Sequence, residues 1–270
     1  METQTSPIPT TQVAEKKAST TYTFREITEA DELEMAFRLR YEVYSSCRGS
    51  VFLNTNLNKI DIDSYDLHSK HFGLFIHENE LAGYFRVVLD KNEYYNADVL
   101  EIGRKFNFFL GAEYSLEGIK HIERPDYPFL SYPDIPEDTK SFYNALKNKG
   151  EGLAENSRLI IKEENRSIKT SVFLLECAFV QYIVICIGSK HAVVSCSREK
   201  GLLYMRYGFQ PIGDEKGYSF YSSVIHSKCL TLSLALASSL SASPIPKYLH
   251  PKLEGMAAEY SITGKITRTI

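Results

Sequence analysis

Cysteine is scarce in this 270-residue chain and follows no pattern: the five (Cys47, Cys177, Cys186, Cys196 and Cys229) are odd in number and include no CxxC pair. That spacing speaks against a disulfide framework and a structural zinc site, and fits a reducing cytosol. An excess of either charge is also missing. Lys and Arg number 31 against 34 Asp and Glu, leaving a net charge of −3 and a pI of about 6.2. Nothing in that balance advertises nucleic acid or an anionic membrane, and an acidic protein partner would need a local basic patch. The opening METQTSPIPTTQVAEKKAST holds no apolar core of a secretory signal, so residues 1–20 read as a polar, disordered tail of a cytoplasmic protein. Tryptophan is absent altogether. The one long apolar run, Ser171–Gly188, barely reaches bilayer length and carries Glu176 and Gln181 in its middle. It reads as a buried helix on a sheet, and the chain as soluble with no transmembrane segment.

What is present is 43% hydrophobic and 24% charged, ordinary for a globular domain with a sizeable core. Tyr22–Ile27 predicts a strand, Thr28 a helix N-cap, and Leu33, Ala36, Phe37, Arg40, Val43 and Tyr44 a helix with Arg40 and Tyr44 on one face. Asn54, Asn56 and Asn58 mark a loop. His71–His77 and Leu81–Leu89 form a hairpin, followed over 91–154 by an irregular insertion with short helices near Glu101–Phe108 and Asp138–Leu146. So long a connection is usually a binding loop or lid. The second half reads as strand Ser157–Glu163, helix Ile168–Ile187, strand Ala192–Cys196 and helix Arg198–Tyr207, with Gly208 as a left-handed cap. Phe209–Ile212 and Tyr218–Ile225 form a last strand pair, and Leu230–Leu240, rich in Leu, Ala and Ser, reads as helical. The order predicts an α/β (α+β) chain with a central mixed β-sheet flanked by helices and a long insertion before the fourth strand. The expected divisions are a tail over 1–20, one domain over 21–226 and a partly helical C-terminal extension over 227–270.

Four clusters carry chemistry. FRLRYEVY (37–44) sets charges among apolar positions, and DIDSYD (61–66) is dense in carboxylates but lacks the glycine and final Glu of an EF-hand. Arg86 interrupts an apolar strand and so demands an acidic partner, and Glu155-Asn156-Ser157-Arg158 opens the strand after the insertion. Three arginines, Arg40, Arg86 and Arg158, face three acids, Asp63, Asp66 and Glu155, on elements the topology brings together, the layout of a polar network beside a cleft. No metal site is expected.

Over residues 22–225 these motifs, in this order, resemble the GNAT-fold N-acyltransferases related to acyl-homoserine-lactone synthases. They look still more like the N-acyl amino acid synthases and the PEP-CTERM/exosortase-associated acyltransferases of that branch. The resemblance implies a GNAT (acyl-CoA N-acyltransferase) fold and transfer of a fatty acyl group from a thioester to an amine. It further implies no tightly bound cofactor, with acyl carrier protein or CoA expected to bring the acyl group as co-substrate. By resemblance Glu155, Ser157 and Arg158 are the candidate catalytic residues, with Glu155 as general base. Arg40, Tyr44 (where the family has Phe), Asp63, Asp66, Arg86, Ser197 and Arg198 form the substrate-binding network. The pantetheine arm is expected between Ser157–Glu163 and Ala192–Cys196, with Val172–Ile187 as one wall of an acyl tunnel.

Two departures bear on the substrate. The homoserine-lactone synthases carry a Trp in the adenosylmethionine pocket, where Ser50 stands near that position here. The glycine-bearing loop of ordinary acetyl-CoA enzymes is replaced by Glu163-Glu164-Asn165-Arg166-Ser167, which cradles pyrophosphate less well. Together they favour an amino acid or similar amine as acceptor and acyl carrier protein as donor, with Lys162, Arg166 and Lys169 to meet the carrier. The alternatives are an acyl-homoserine-lactone (autoinducer) synthase and a non-catalytic carrier- or lipid-binding module.

Overall fold

The computed structural model describes residues 19–46, 56–108, 125–132, 134–187, 190–222, 225–237 and 239–270. The expected tail before residue 19, Cys47, Ser50 and Asn54 lie outside the described residues.

Among the described residues one nine-stranded sheet organises the fold. Strand β1 (Thr21–Glu26) pairs with β2 (Ser69–Ile76), which forms the predicted hairpin with β3 (Glu80–Val88). Strand β3 pairs antiparallel with β4 (Gly152–Ile161), and β4 pairs parallel with β5 (Lys190–Ser197). Between β1 and β2 runs helix α1 (Ala30–Ser46), whose first bond joins the Leu33 N–H to the Glu29 carbonyl at 3.0 Å. The helix therefore starts two residues beyond the cap expected at Thr28. The insertion holds α2 (Ala97–Lys105), a 3-10 turn (Pro128–Ser131) and α3 (Glu137–Lys149), close to the two short helices read from the sequence. Strand β4 begins five residues earlier than expected, so Glu155–Arg158 lies inside the strand rather than at its mouth.

Side-chain alternation gives β3 and β4 two distinct faces. Tyr84, Arg86, Val88, Leu153, Glu155 and Ser157 point toward α1 and the insertion, where two apolar clusters form. Phe85, Val87 and Ala154 point the other way, into the main core. That core is closed by helix α4 (Ile168–Cys186), capped by the Ser167 hydroxyl accepting from the Thr170 N–H at 3.0 Å. Helix α4 is long and apolar enough to cross a bilayer, yet 67% of its apolar window is buried within the fold. Glu176, 5% exposed, is met at 2.5 Å by Lys252, so its charge is paired rather than set against lipid.

The C-terminal third departs from expectation. After α5 (Arg198–Met205), Gly208 takes the predicted positive φ, 95°. The short β6 (Gln210–Pro211) and β7 (Tyr218–Ser222) do not pair with each other; both pair with β8 (Ile225–Ala235). The stretch read as helical from Leu230 is thus strand through Ala235, lying between β5 and the short edge strands β6 and β7. Leu230, Leu232 and Leu234 are all buried, a period-2 pattern that outweighs the helical leaning of Leu and Ala in their composition. Helix α6 (His250–Thr263) then packs beside α4, and β9 (Lys265–Thr269) completes the sheet on the free edge of β1. The boundary expected at 226 falls inside β8, and residues 227–270 build the sheet rather than extend it.

Candidate active site

Strands β4 and β5 are paired only from Gly152↔Lys190 to Asn156↔Val194. Beyond Asn156, β4 continues beside β3 to Ile161, while β5 continues beside β8 through Ser195, Cys196 and Ser197. The two parallel strands therefore part, leaving a split that opens toward the C-terminal end of β4. The polar residues read from the sequence collect where it begins.

A β-bulge arranges them. Between the pairs Arg86↔Ser157 and Tyr84↔Ile160 the register shifts, so Arg158 and Leu159 stand opposite Phe85 alone. Arg158 has φ 60°, a left-handed conformation that non-glycine residues adopt at a cost. Without the bulge, alternation would send Arg158 to the face opposite Ser157. With it both point to the α1 face, the re-aiming that bulges characteristically produce. Arg158 there reaches Asp63 at 3.4 Å and Asp61 at 3.8 Å, and its guanidinium lies 5.0 Å from the Tyr44 ring centre.

Behind it, Arg40 and Arg86 are almost fully buried, 0% and 1% exposed. Arg40 donates to Asp61 at 2.9 Å and to Asp66 at 2.7 Å. Arg86 donates to Asp63 at 2.7 Å, to Asp66 at 2.5 Å and, through Nε, to the Ser157 hydroxyl at 2.8 Å. Burial alone would raise the Asp63 and Asp66 carboxyls. The arginines outweigh it and hold both below the usual carboxylate range: Arg86, Arg40 and Arg158 for Asp63, Arg40 and Arg86 for Asp66. The same carboxylates keep both guanidiniums charged despite burial.

Glu155 behaves in the opposite way. It is 1% exposed, and its Oε2 accepts from the Phe129 N–H of the insertion at 3.0 Å. Burial raises its pKa to about 8, against the lowering pull of the Phe129 N–H and Arg86. One carboxyl near neutrality beside two carboxylates that arginines hold low, Asp63 and Asp66, is a separation of roles characteristic of acid–base sites. The insertion is bonded to this site: Tyr127 donates its hydroxyl to the Leu153 carbonyl at 2.8 Å, and Tyr65, from the aspartate loop, bonds Ser131.

Arg40, Asp63, Asp66, Arg86, Glu155, Ser157 and Arg158 are thus brought together, with Tyr44 stacked beside Arg158. Ser197 and Arg198 are not; they stand at the junction of β5 and α5, at the end of the strand that leaves β4. Lys162, Arg166 and Lys169 flank the open end of the split. Lys162 pairs with Glu164 at 2.5 Å, Arg166 donates to the Ile161 carbonyl at 3.1 Å, and Lys169 lies in the first turn of α4.

Three contributors went unread. Asp61 bonds Arg40 but was not separated from the carboxylates around it. His71 spans from the Tyr84 hydroxyl (2.8 Å) to the Asp66 carbonyl (3.1 Å), and burial lowers its pKa to about 4. Its ring is therefore neutral, with Nε2–H donating to Asp66 and Nδ1 accepting from Tyr84. The Phe129 N–H has no sequence signature at all. Among the described residues no group of three or more His, Cys, Asp and Glu side chains is placed to hold a metal ion. The thiols of Cys186 and Cys196 are pushed up to about 12 by burial, and those of Cys177 and Cys229 are also raised, so none of these four is a ready nucleophile.

A mixed sheet with two splayed parallel strands, a bulged fourth strand and a helix on each side of the split is the GNAT acyltransferase fold. Residues 39–125 match the family model for the acetyltransferase (GNAT) domain. Among solved structures, a CoA-dependent acyl-homoserine lactone synthase, BjaI, superposes with a TM-score of 0.50 at 14% identity, covering 88% of this chain and 90% of that one. FeeM, an N-acyl amino acid synthase from uncultured soil microbes, gives a TM-score of 0.44 at 15% identity over 80% of this chain and 91% of its own. The acyl-homoserine-lactone synthase LasI gives 0.44 at 14% over 80% and 91%. A search of curated proteins finds no match.

Proposed function

We propose that this chain is an N-acyltransferase that moves a fatty acyl group from a carrier-bound thioester to the amine of an amino acid or similar small molecule. The observation that carries the reading is Glu155, a buried carboxyl with a pKa near 8, one residue before the last β4–β5 pair. An amine is protonated at neutral pH and attacks nothing until its proton is removed. A carboxyl tuned near the working pH is suited to take that proton, directly or through a water.

The chemistry is direct. The amine nitrogen attacks the thioester carbonyl, the C–N bond forms, the C–S bond breaks, and one proton passes to Glu155 while the departing thiolate takes another. Backbone N–H groups of β4 near Arg158, freed from pairing with β5, supply donors for the oxyanion. The balanced Arg–Asp network fixes Ser157 and Arg158 so that two bound reactants are aligned, and alignment supplies much of the effect. The raised thiol pKa values of the four described cysteines favour this route over an acyl-cysteine intermediate.

Acyl carrier protein is the favoured donor, because the turn Glu163–Ser167 lacks glycine and Lys162, Arg166 and Lys169 border the open end of the split. The neighbours' names span N-acyl amino acid and acyl-homoserine-lactone synthesis. The lack of tryptophan in this chain favours the former. The test is mass spectrometry of lipid extracts from cells expressing the parent chain or Glu155→Gln. A new N-acyl amino acid seen only with the parent supports the reading. An acyl-homoserine lactone would replace the amino acid as acceptor, and no new amide from either chain would contradict the proposal.

A further inference from the structure

Glu155 is enclosed by more than the sheet. Val88 of β3 and Val193 of β5 stand opposite it, and both are fully buried. Further cover comes from the turn Pro128–Ser131, whose Phe129 N–H donates to the carboxyl. Pro128 has no N–H, and the Leu130 N–H is already bonded to the Tyr127 carbonyl at 3.1 Å. Phe129 therefore carries the first N–H of the turn, a donor the turn itself cannot satisfy, and it is aimed at Glu155.

The turn is held at both ends. At one end the buried Tyr127 donates its hydroxyl to the Leu153 carbonyl, as described above. At the other end Ser131 is exposed, and its hydroxyl bonds the hydroxyl of the half-buried Tyr65. The Tyr65 hydroxyl also reaches the Tyr127 carbonyl at 3.4 Å.

Tyr65 is itself fixed by the charged network. Its N–H donates to Asp63 Oδ1 at 2.9 Å, its carbonyl accepts from the Ser69 hydroxyl at 2.7 Å, and its ring centre lies 6.0 Å from the Arg86 guanidinium. Arg86 holds that same Asp63 oxygen and also Ser157, two residues along β4 from Glu155. A closed circuit thus runs from Glu155 through Phe129, Ser131, Tyr65, Asp63, Arg86 and Ser157, and back along the strand. The network reaches the carboxyl twice, once through β4 and once through Tyr65.

Resting on the acyl-transfer reading above, we infer that Tyr65 is a positioning residue for Glu155: its hydroxyl latches the turn that covers the carboxyl and orients it through the Phe129 N–H. Loosening that latch has a defined sign. Burial is the strongest influence on Glu155 and raises its pKa, and the Phe129 N–H is the strongest that lowers it. An opened turn removes both, and burial, the larger, makes the net change a fall. The other groups that act on Glu155 are Arg86 of β3, Arg158 of β4 and Asp63 of the aspartate loop, with the Tyr182 phenol of α4 behind the sheet. Removing the Tyr65 or Ser131 hydroxyl leaves all four in the chain.

The test is an infrared titration of the full chain without substrate. It follows the carbonyl stretch of the protonated Glu155 carboxyl, identified by its loss in Glu155→Gln. The parent should titrate near pH 8. Tyr65→Phe and Ser131→Ala should each titrate about one pH unit lower, and the double variant no lower than either, because both remove the same bond. Ser131 is exposed, so its truncation leaves the fold intact. If the bond only pins a surface turn, the variants titrate with the parent. That result, a rise, or a double variant shifted by the sum of the two would overturn the inference and leave acyl transfer standing. A parent carboxyl that titrates in the ordinary range, near 4.3, would overturn the role given to Glu155 and this inference with it.

Discussion

Replacing Arg86 with alanine tests whether the charged network holds the site together or merely decorates it. In the native chain Arg86 is enclosed, and its guanidinium and Nε serve Asp63, Asp66 and Ser157 together. Asp66 is fully buried, so the substitution leaves its carboxylate with Arg40 and the Asp63 N–H and removes one of its two guanidinium partners. Breaking one side of a buried ion pair costs about 3–5 kcal/mol, because the remaining charge has no water to return to. For a domain of this size that lowers Tm by on the order of 10 °C. The pH dependence gives the sign. In the parent the two aspartates sit below their unfolded pKa of about 3.9, so their contribution is present above that pH and lost as pH falls through the folded values. In the variant those folded pKa values rise, so the deficit should be full at pH 7 and shrink as pH approaches 4. Urea titrations of both chains at pH 7, 5.5 and 4 would read this directly. A deficit below about 1 kcal/mol at pH 7, or one that does not change with pH, would refute the reasoning and mean that water already screens these charges.

Two further outcomes follow from the fold and from Glu155. With a folded pKa near 8 and an unfolded value near 4.3, Glu155 binds its proton more tightly in the native state. Parent stability should therefore fall by about 1.4 kcal/mol per pH unit between roughly pH 5 and 8 on its account, and Glu155→Gln should flatten that segment in melts across the range. Matching slopes in the two chains would place the carboxyl in water. Truncation after residue 226 deletes nearly all of β8 together with α6 and β9, stripping partners from both β5 and β1. That chain should be insoluble or lack native circular dichroism; a soluble, folded product would show that the sheet closes without these strands.

The charged network was legible because its physics is local in type if not in position. An arginine inside Tyr84-Phe85-Arg86-Val87-Val88 has no tolerable fate except a buried acid, and DIDSYD was the obvious supply. The hairpin, α1 and α4 were readable from periodicity. What escaped depends on backbone geometry or distant pairing. The bulge that turns Arg158 onto the Ser157 face occurs at a non-glycine residue, so nothing in the residue type announces it. The Phe129 N–H that meets Glu155 comes from the insertion, where any residue but proline could have supplied it. The β8 error is of another kind. Leu230, Leu232 and Leu234 alternate as a strand should, within a Leu, Ala and Ser composition that leans toward helix.

The most direct test of the central claim is the pH dependence of kcat/KM for amide formation by the purified chain and by Glu155→Gln, using an acyl thioester and the amine identified from the lipid extracts. If Glu155 takes the amine's proton, the parent should climb about tenfold per pH unit and level off near pH 8. Glu155→Gln should be slower by about 10²–10⁴-fold and lack that inflection while keeping its fold. A variant as fast as the parent, or one with the same inflection at reduced rate, would remove Glu155 from the chemistry.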